Sequence, residues 1–282
     1  MERLGRSASL SVCGIALFLM PAVPAAAGAW TQAPGEGLVI GTTARRAAPV
    51  GALAGGVADS DANSSQLYIE YGLIEGLTVG AKFYSEISTS NFEASSASFG
   101  GFLRKRVWRD GHGGIASLQG GYAHPIESLI GNGMELAEPG AVPEAHLAGL
   151  YGRGWGGDWG SAFLSTGAAY HWRGEGLAAE VRGEVTGGYA PWPDWMGMLG
   201  LHGLYPLADG TDRSLKIAPS IGYTYWPDGE ADGQKSAESD ASEASEASEE
   251  PGKPVTIQLG VSYDLLNRQH GIGVFVSLWQ RL

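Results

Sequence analysis

The feature that most constrains this chain is a two-residue alternation of apolar and polar side chains, repeated along about twelve short segments. In the segment 177–186, Val181 and Val185 lie on one face of the pattern, whereas Glu180 and Arg182 lie on the other. A period of two is typical of a β-strand that is apolar on one side and wet on the other. Behind a secretory signal, this repetition predicts strands whose apolar side faces lipid and whose polar side lines a lumen.

The fold class follows from the number and spacing of these segments. We predict an all-β protein, a transmembrane antiparallel up-and-down β-barrel of about 12 strands, an even number as single-chain bacterial barrels require. The predicted strands lie at about 37–46, 65–74, 77–87, 96–107, 113–123, 142–152, 160–172, 176–189, 195–205, 213–226, 254–265 and 271–282.

Residues 1–27 have the composition of a signal peptide. Arg3 and Arg6 form a positive start, the stretch 10–23 is apolar, and small residues precede a cleavage site after Ala27. The apolar stretch is short for a membrane-spanning helix, and no later segment offers 18 continuous apolar residues. We therefore expect 28–282 to form a single barrel in the bacterial outer membrane after cleavage near Ala27.

Composition excludes several classes of function. The only cysteine, Cys13, lies in the predicted signal, so the mature chain would have no thiol for disulfides, catalysis or metal binding. The formal net charge of −12 argues against a nucleic-acid partner. We expect no cofactor.

Much of the negative charge lies in one low-complexity segment at about 228–252, rich in serine, alanine and glutamate. Such a segment has little apolar area to offset the entropy of ordering, so it is predicted to be a disordered loop. Its position is unusual: with a periplasmic amino terminus, the tenth connection faces the periplasm, where short turns are typical.

Seven tryptophans lie at or just beyond predicted strand ends, as expected for an aromatic girdle at the membrane interface. They are Trp108, Trp155, Trp159, Trp172, Trp192, Trp195 and Trp226.

Charged side chains share the period of the non-lipid face and are candidates for lining the lumen. They are Glu70, Lys82, Arg104, Arg106, Glu144, His146, Glu180, Arg182, Glu184, Lys216 and Asp264. About eight strands fill their own interior and about sixteen leave an aqueous channel, so twelve favour a narrow conduit. The alternative is that these charges neutralise one another and close the lumen.

No motif indicates catalysis. The chain has no His-x-x-x-His or Gly-x-Ser-x-Gly pattern, and the glycine run 152–157 lacks the strand-to-helix context of a dinucleotide site. We predict no catalytic, metal or cofactor-binding residues and no enzymatic activity, with a barrel enzyme as a minor alternative.

The predicted mature start, residues 28–40, resembles a group of proteobacterial outer-membrane barrels that open with a similar Gly-Ala-Trp-Thr-Gln stretch. The hairpin at 68–80 is similar in style, and the C-terminus partly matches the insertion signal of such barrels, although it ends on Leu282 rather than Phe or Trp. Some members are XagA-type proteins associated with polysaccharide export, and others are associated with aromatic-compound degradation pathways.

The resemblance implies a porin-like transport function and three kinds of partner: outer-membrane lipid, the barrel-assembly machinery, and a small solute or exported glycan. We therefore predict a narrow channel for small solutes or a glycan strand. The alternative is a structural or surface-anchoring barrel with a closed lumen.

Overall fold

A computed structural model describes residues 28–47, 62–88, 96–126, 142–174, 176–208, 213–227, 253–266 and 272–282. The predicted signal, 1–27, and the predicted acidic loop, about 228–252, lie outside these residues. Within the described part of the chain, no helix is long and apolar enough to cross a membrane.

The described chain forms a closed barrel in which every strand pairs with its neighbours in sequence and the last strand pairs with the first. All pairings are antiparallel. The twelve strands are β1 Gly37–Ala47, β2 Ala62–Ile74, β3 Leu77–Ser88, β4 Ser96–Arg109, β5 Gly114–Pro125, β6 Glu144–Gly157, β7 Gly160–Arg173, β8 Glu180–Trp192, β9 Trp195–Pro206, β10 Ser214–Tyr225, β11 Val255–Asp264 and β12 Ile272–Arg281.

The predicted fold class and the strand count of twelve are confirmed. The largest difference at a strand start is in β8, which begins at Glu180 and not near residue 176. Gly176 adopts a positive φ of 75° and the Leu177 N–H donates to the Gly174 carbonyl, so this stretch belongs to a turn. The alternation that begins at Leu177 is therefore longer than the strand.

Side chains on the predicted apolar faces point away from the barrel. On β2, for example, Leu67, Ile69, Tyr71 and Leu73 are all exposed, whereas Glu70, between them in sequence, is fully buried. An apolar outer surface and a polar interior are the reverse of a water-soluble barrel and suit a hydrocarbon surrounding.

The two ends of the barrel differ in their connections. Four of the connections that follow an even-numbered strand are short turns at 75–76, 110–113, 158–159 and 193–194, and we call this end the short-turn rim. The opposite end, where the connections that follow odd-numbered strands lie, is the long-connection rim. β10 ends and β11 begins at the short-turn rim, so the tenth connection, 226–254, is the long exception there.

All seven tryptophans of the predicted girdle have exposed side chains. Six lie at the short-turn rim, and Trp172 lies near the long-connection rim. Indole rings on the outer surface at strand ends are typical of a membrane interface.

Apolar side chains also fill part of the interior near the short-turn rim. One cluster contains Leu38, Ile40, Tyr68 and Phe102, with Trp279 packed against it. A second contains Phe163 and Met198, with Trp30 and Met196 packed against them. At this end apolar side chains therefore occupy part of the lumen.

Candidate functional site in the barrel lumen

The chain that precedes β1 lies inside the barrel. We call Gly28–Gln32 the N-terminal segment; its residue Ala29 is 0% exposed. The Ser117 hydroxyl on β5 donates to the Ala29 carbonyl at 2.5 Å, and the Gln32 backbone N–H donates to the Thr78 hydroxyl on β3 at 2.8 Å. These bonds join the segment to the inner face of β3 and β5, which flank β4, so it occupies the lumen near the short-turn rim.

Trp30 anchors this segment on β6 and β7. Its indole contacts the Phe163 ring of β7 edge to face, with 6.3 Å between ring centroids. On β6, a Cβ atom at Gly152 would lie 2.7 Å from the indole Cη2, so only glycine lets the ring approach this closely. The anchor therefore depends on a small residue in the wall as well as on the aromatic ring.

A buried ion pair lies beside the N-terminal segment. The Arg104 guanidinium of β4 contacts the Glu70 carboxylate of β2 at 2.6 Å, and the two side chains are 4% and 0% exposed. Arg104 also donates to the Trp30 carbonyl at 3.0 Å, and the Gln32 side-chain amide donates to Glu70 at 2.7 Å. The pair thus ties two strands to the N-terminal segment.

Two further side chains complete this network. The Gln119 carbonyl accepts bonds from Arg104 Nε and Nη2 at 3.1 and 2.8 Å, and the Tyr68 hydroxyl donates to Glu70 while accepting from Arg104 at 3.0 Å. The attraction within a buried ion pair offsets the cost of desolvation only when further hydrogen bonds satisfy both groups, as they do here. The charges of this network are therefore paired with one another.

The other half of the lumen contains a cavity of about 990 Å³, which we call the vestibule. Its walls include strand-end residues Ser96, Pro125, Arg173 and Pro206, so it reaches the long-connection rim. Phe102 and Gln119, which contact the core and the ion-pair network, lie at its inner end. The vestibule is thus bounded on one side by the filled half of the barrel.

A cluster of charges on β6, β7 and β8 is paired within the vestibule wall. The Glu144 carboxylate contacts His171 Nδ1 at 3.2 Å and Arg182 Nη2 at 2.9 Å, and Arg182 also binds Glu180. Arg173 lies 3.5 Å from Glu180 on its other side.

Three of these side chains have the spacing of a metal site. The ligand atoms of Glu144, His171 and Glu180 lie within 4.8 Å of one another. The two arginines already neutralise the two carboxylates, so a metal cation would have to displace a guanidinium. The donor set therefore suits an internal salt-bridge cluster better than a metal ion.

Four other polar side chains point into the vestibule and are exposed to it. They are Lys82 on β3, Glu184 on β8, His202 on β9 and Lys216 on β10. Among the described residues, none of the four takes part in a hydrogen bond or a salt bridge. Lys82 Nζ does lie 5.2 Å from the centre of the Tyr68 ring, in a cation–π contact.

The structure places the eleven predicted lumen residues in four settings. Lys82, Glu144, His146, Glu180, Arg182, Glu184 and Lys216 line the vestibule. Glu70 and Arg104 form the buried pair. Asp264 is buried beside Ser214, and it lines a smaller cavity of about 130 Å³. Arg106 contacts Glu75 at 2.7 Å in a turn of the short-turn rim.

The set of lumen residues predicted from the sequence omits several that the structure places there. His171, Arg173 and His202 also line the vestibule, and strand parity was a usable signal, since His171 alternates with the exposed Tyr170 and Trp172. The N-terminal segment carries no such alternation. Its place in the lumen depends on contacts with strands far away in sequence.

Comparisons with known proteins bear on the fold. No protein-family model and no curated protein sequence matches the chain. Among solved structures, an outer-membrane channel from Pseudomonas putida F1 matches with a TM-score of 0.54 and 13% identity, over 89% of this chain and 97% of that one. The fold is that of an outer-membrane β-barrel.

A second match is the translocator domain of the autotransporter NalP from Neisseria meningitidis. Its TM-score is 0.42 at 10% identity, over 89% of this chain and 88% of that domain.

Proposed function

We propose that this protein is an outer-membrane channel for small polar solutes. The observation that carries the proposal is the vestibule, a cavity of about 990 Å³ lined by charged side chains inside a barrel whose outer face is apolar. A structural barrel has no need of exposed, unpaired charges in its interior. A solute-conducting barrel does, because such groups replace part of the water that a polar solute loses on entry.

The barrel sits in the bacterial outer membrane with its short-turn rim in the periplasm, since short turns face that side in barrels of this kind. The vestibule then opens toward the cell exterior. The apolar outer face contacts outer-membrane lipid, and the barrel-assembly machinery inserts the chain.

The N-terminal segment controls passage in this proposal. Gly28–Gln32 crosses the lumen below the vestibule, so a solute that leaves on the periplasmic side must pass the segment or displace it. A glycan strand would need the whole segment to leave the lumen, and small solutes are therefore the better substrates.

The second candidate, a structural barrel with a closed lumen, is favoured by the same segment. Its residue Ala29 is fully buried and the adjoining Glu70–Arg104 pair is satisfied, as expected for a permanent filling. The two candidates differ in whether ions and solutes cross.

Conductance of the purified full-length mature barrel in planar bilayers tests the proposal, together with a variant that lacks Ala29–Pro34. We expect small single-channel currents from the intact protein and larger ones from the deletion variant, because the deletion removes the segment from the lumen. Heat-modifiable migration on gels checks that both barrels are folded.

A matched control deletes 231–250 in the tenth connection and leaves the N-terminal segment unchanged. This control should leave the conductance within the range of the intact protein. If neither the intact protein nor the variant without Ala29–Pro34 conducts while both are folded, the channel proposal is wrong and the closed structural barrel stands.

A further inference from the structure

We propose that the vestibule holds a binding site for a small hydroxycarboxylate monoanion, built from Lys82, Glu184, His202 and Lys216. The inference rests on the proposed function, because it names the class of solute that the channel takes up. It concerns binding, however, and so it can be tested without any measurement of transport.

The four residues stand out because the charges of the buried network and of the β6–β8 cluster are paired with one another. Glu70 and Arg104 bind each other, and the cluster of Glu144, Glu180 and Arg182 is satisfied within the wall. In contrast, the four site residues are exposed although they face the interior, and among the described residues they form neither hydrogen bonds nor salt bridges. Their donors and acceptors are free for a solute.

Strand register brings three of the four together in one row. Glu184 lies opposite His202 across the β8–β9 pairing, and His202 lies opposite Lys216 across the β9–β10 pairing. Directly opposed residues in antiparallel strands have Cα atoms about 4.5–5.5 Å apart, so adjacent side chains in the row can contact one small molecule.

The fourth group approaches from another part of the wall. Lys82 lies on β3 and lines the same cavity as Glu184, His202 and Lys216. The aromatic face of Tyr68 supports the lysine without occupying its hydrogen-bond donors. Lys82 therefore offers three N–H donors to the vestibule.

The charges of these groups select the class of solute. The four side chains carry two ammonium groups and one carboxylate, a net charge of +1 with neutral His202, which a single carboxylate neutralises. Asp264 lies opposite Lys216 on β11, but its carboxylate already accepts hydrogen bonds from the Ser214 hydroxyl and from the backbone N–H groups of Leu215 and Leu266. Charge-assisted hydrogen bonds from lysine to carboxylate are among the stronger contacts available in such a site. Glu184 and His202 then need a donor on the solute, and a hydroxyl group supplies it without adding charge.

The test measures binding of L-lactate to the full-length mature barrel in detergent by isothermal titration calorimetry. Lactamide replaces the carboxylate by a neutral amide, and alanine replaces the hydroxyl by an ammonium group. We expect lactate to bind more tightly than both, and its affinity to fall as sodium chloride is raised, because exposed charge pairs are screened.

Variants then locate the site. Lys82→Met and Lys216→Met should each weaken lactate binding about tenfold, the loss expected when one charge-assisted hydrogen bond is removed. Lys105→Met is the matched control, since Lys105 is exposed on β4 at a position that alternates with the inward-facing Arg104. The control should bind lactate like the unmodified protein, and gel migration checks that every variant is folded.

Three outcomes would overturn the inference: tighter binding of alanine or lactamide than of lactate, equal effects of Lys105→Met and Lys82→Met, or no salt-dependent binding of lactate at all. These failures are separable from failure of the channel proposal. A barrel that conducts but does not bind lactate refutes the site alone, and one that binds lactate but never conducts refutes the channel alone.

Discussion

Replacing Arg104 by methionine tests how the filled half of the lumen is held together. The substitution keeps most of the apolar volume but leaves the Glu70 carboxylate, 0% exposed, without its cationic partner. Removing one partner of a buried ion pair costs about 3–5 kcal/mol, because the remaining charge stays buried and uncompensated. The N-terminal segment also loses the bond from Arg104 to the Trp30 carbonyl.

The measurement is the free energy of unfolding in urea, followed by tryptophan fluorescence in lipid vesicles. Arg104→Met should lose about 3–5 kcal/mol, and the double variant with Glu70→Gln should lose less than the sum of the two single variants, as expected for residues in direct contact. Arg106→Met is the matched control, because its partner Glu75 is 80% exposed and such surface pairs contribute about 0–1 kcal/mol.

A thiol placed at Thr31 reports whether the N-terminal segment leaves the lumen. The predicted mature chain has no cysteine, so Thr31→Cys introduces its only thiol. Labelling by a water-soluble maleimide should be slow in the otherwise unmodified barrel and faster when Arg104→Met is added. An Arg104→Met barrel as stable and as slowly labelled as its parent would refute the role given to the pair.

Four further predictions concern other parts of the molecule. Val181→Arg should impair membrane assembly, since the side chain points outward and a guanidinium near mid-membrane depth costs about 2–4 kcal/mol. Thr186→Arg, on the inner face, should assemble. Equal assembly of the two variants in a vesicle-insertion assay would show that the faces are misassigned. Gly152→Val should displace the indole that packs on it and raise labelling of the cysteine placed in the N-terminal segment, and unchanged labelling would contradict the close approach. Deleting 231–250 should leave a folded, inserted barrel of nearly unchanged thermal stability, because the free energy of loop closure changes by only about 0.6 kcal/mol per doubling of length. A variant that fails to insert would show that the segment belongs to the fold. Backbone N–H groups of Gly114 and His112 hold the pKa of the Asp110 carboxyl below its ordinary value. This turn should therefore lose stability as the pH falls through that lowered pKa. In a pH series of unfolding experiments, Asp110→Asn should remove the effect.

The strands and their two faces could be predicted because apolar and polar side chains alternate along the strands of the barrel wall. A shift of one residue in β8 would turn Val181 and Val185 into the lumen and Glu180 and Glu184 toward the apolar surroundings, so the pattern permits a single orientation. The same parity places His171 and His202 inward, and it could have added them to the predicted set.

The filling of the lumen could not be predicted from strand parity. Gly28–Gln32 precedes the first strand, and nothing in its spacing shows that Trp30 packs on β6 and β7 while Gln32 binds β2 and β3. Strand count alone suggested a narrow open conduit. The structure instead shows an occupied lumen at one end and a cavity at the other, because the space inside twelve strands is large enough to take up a short piece of the chain itself.

Ion pairing between side chains in the lumen is a second property that strand parity does not predict. Glu180 and Glu184 have the same residue type and face on the same strand, yet Glu180 is 3% exposed and bound by arginine whereas Glu184 has no such partner among the described residues. The difference comes from the neighbouring strands. Glu180 lies opposite His171 and Pro206, and it is within reach of Arg173 and Arg182. Glu184 instead lies opposite Gly167 and His202. Register therefore determines which of two equivalent glutamates is bound by arginine within the wall and which has no ion-pair partner among the described residues.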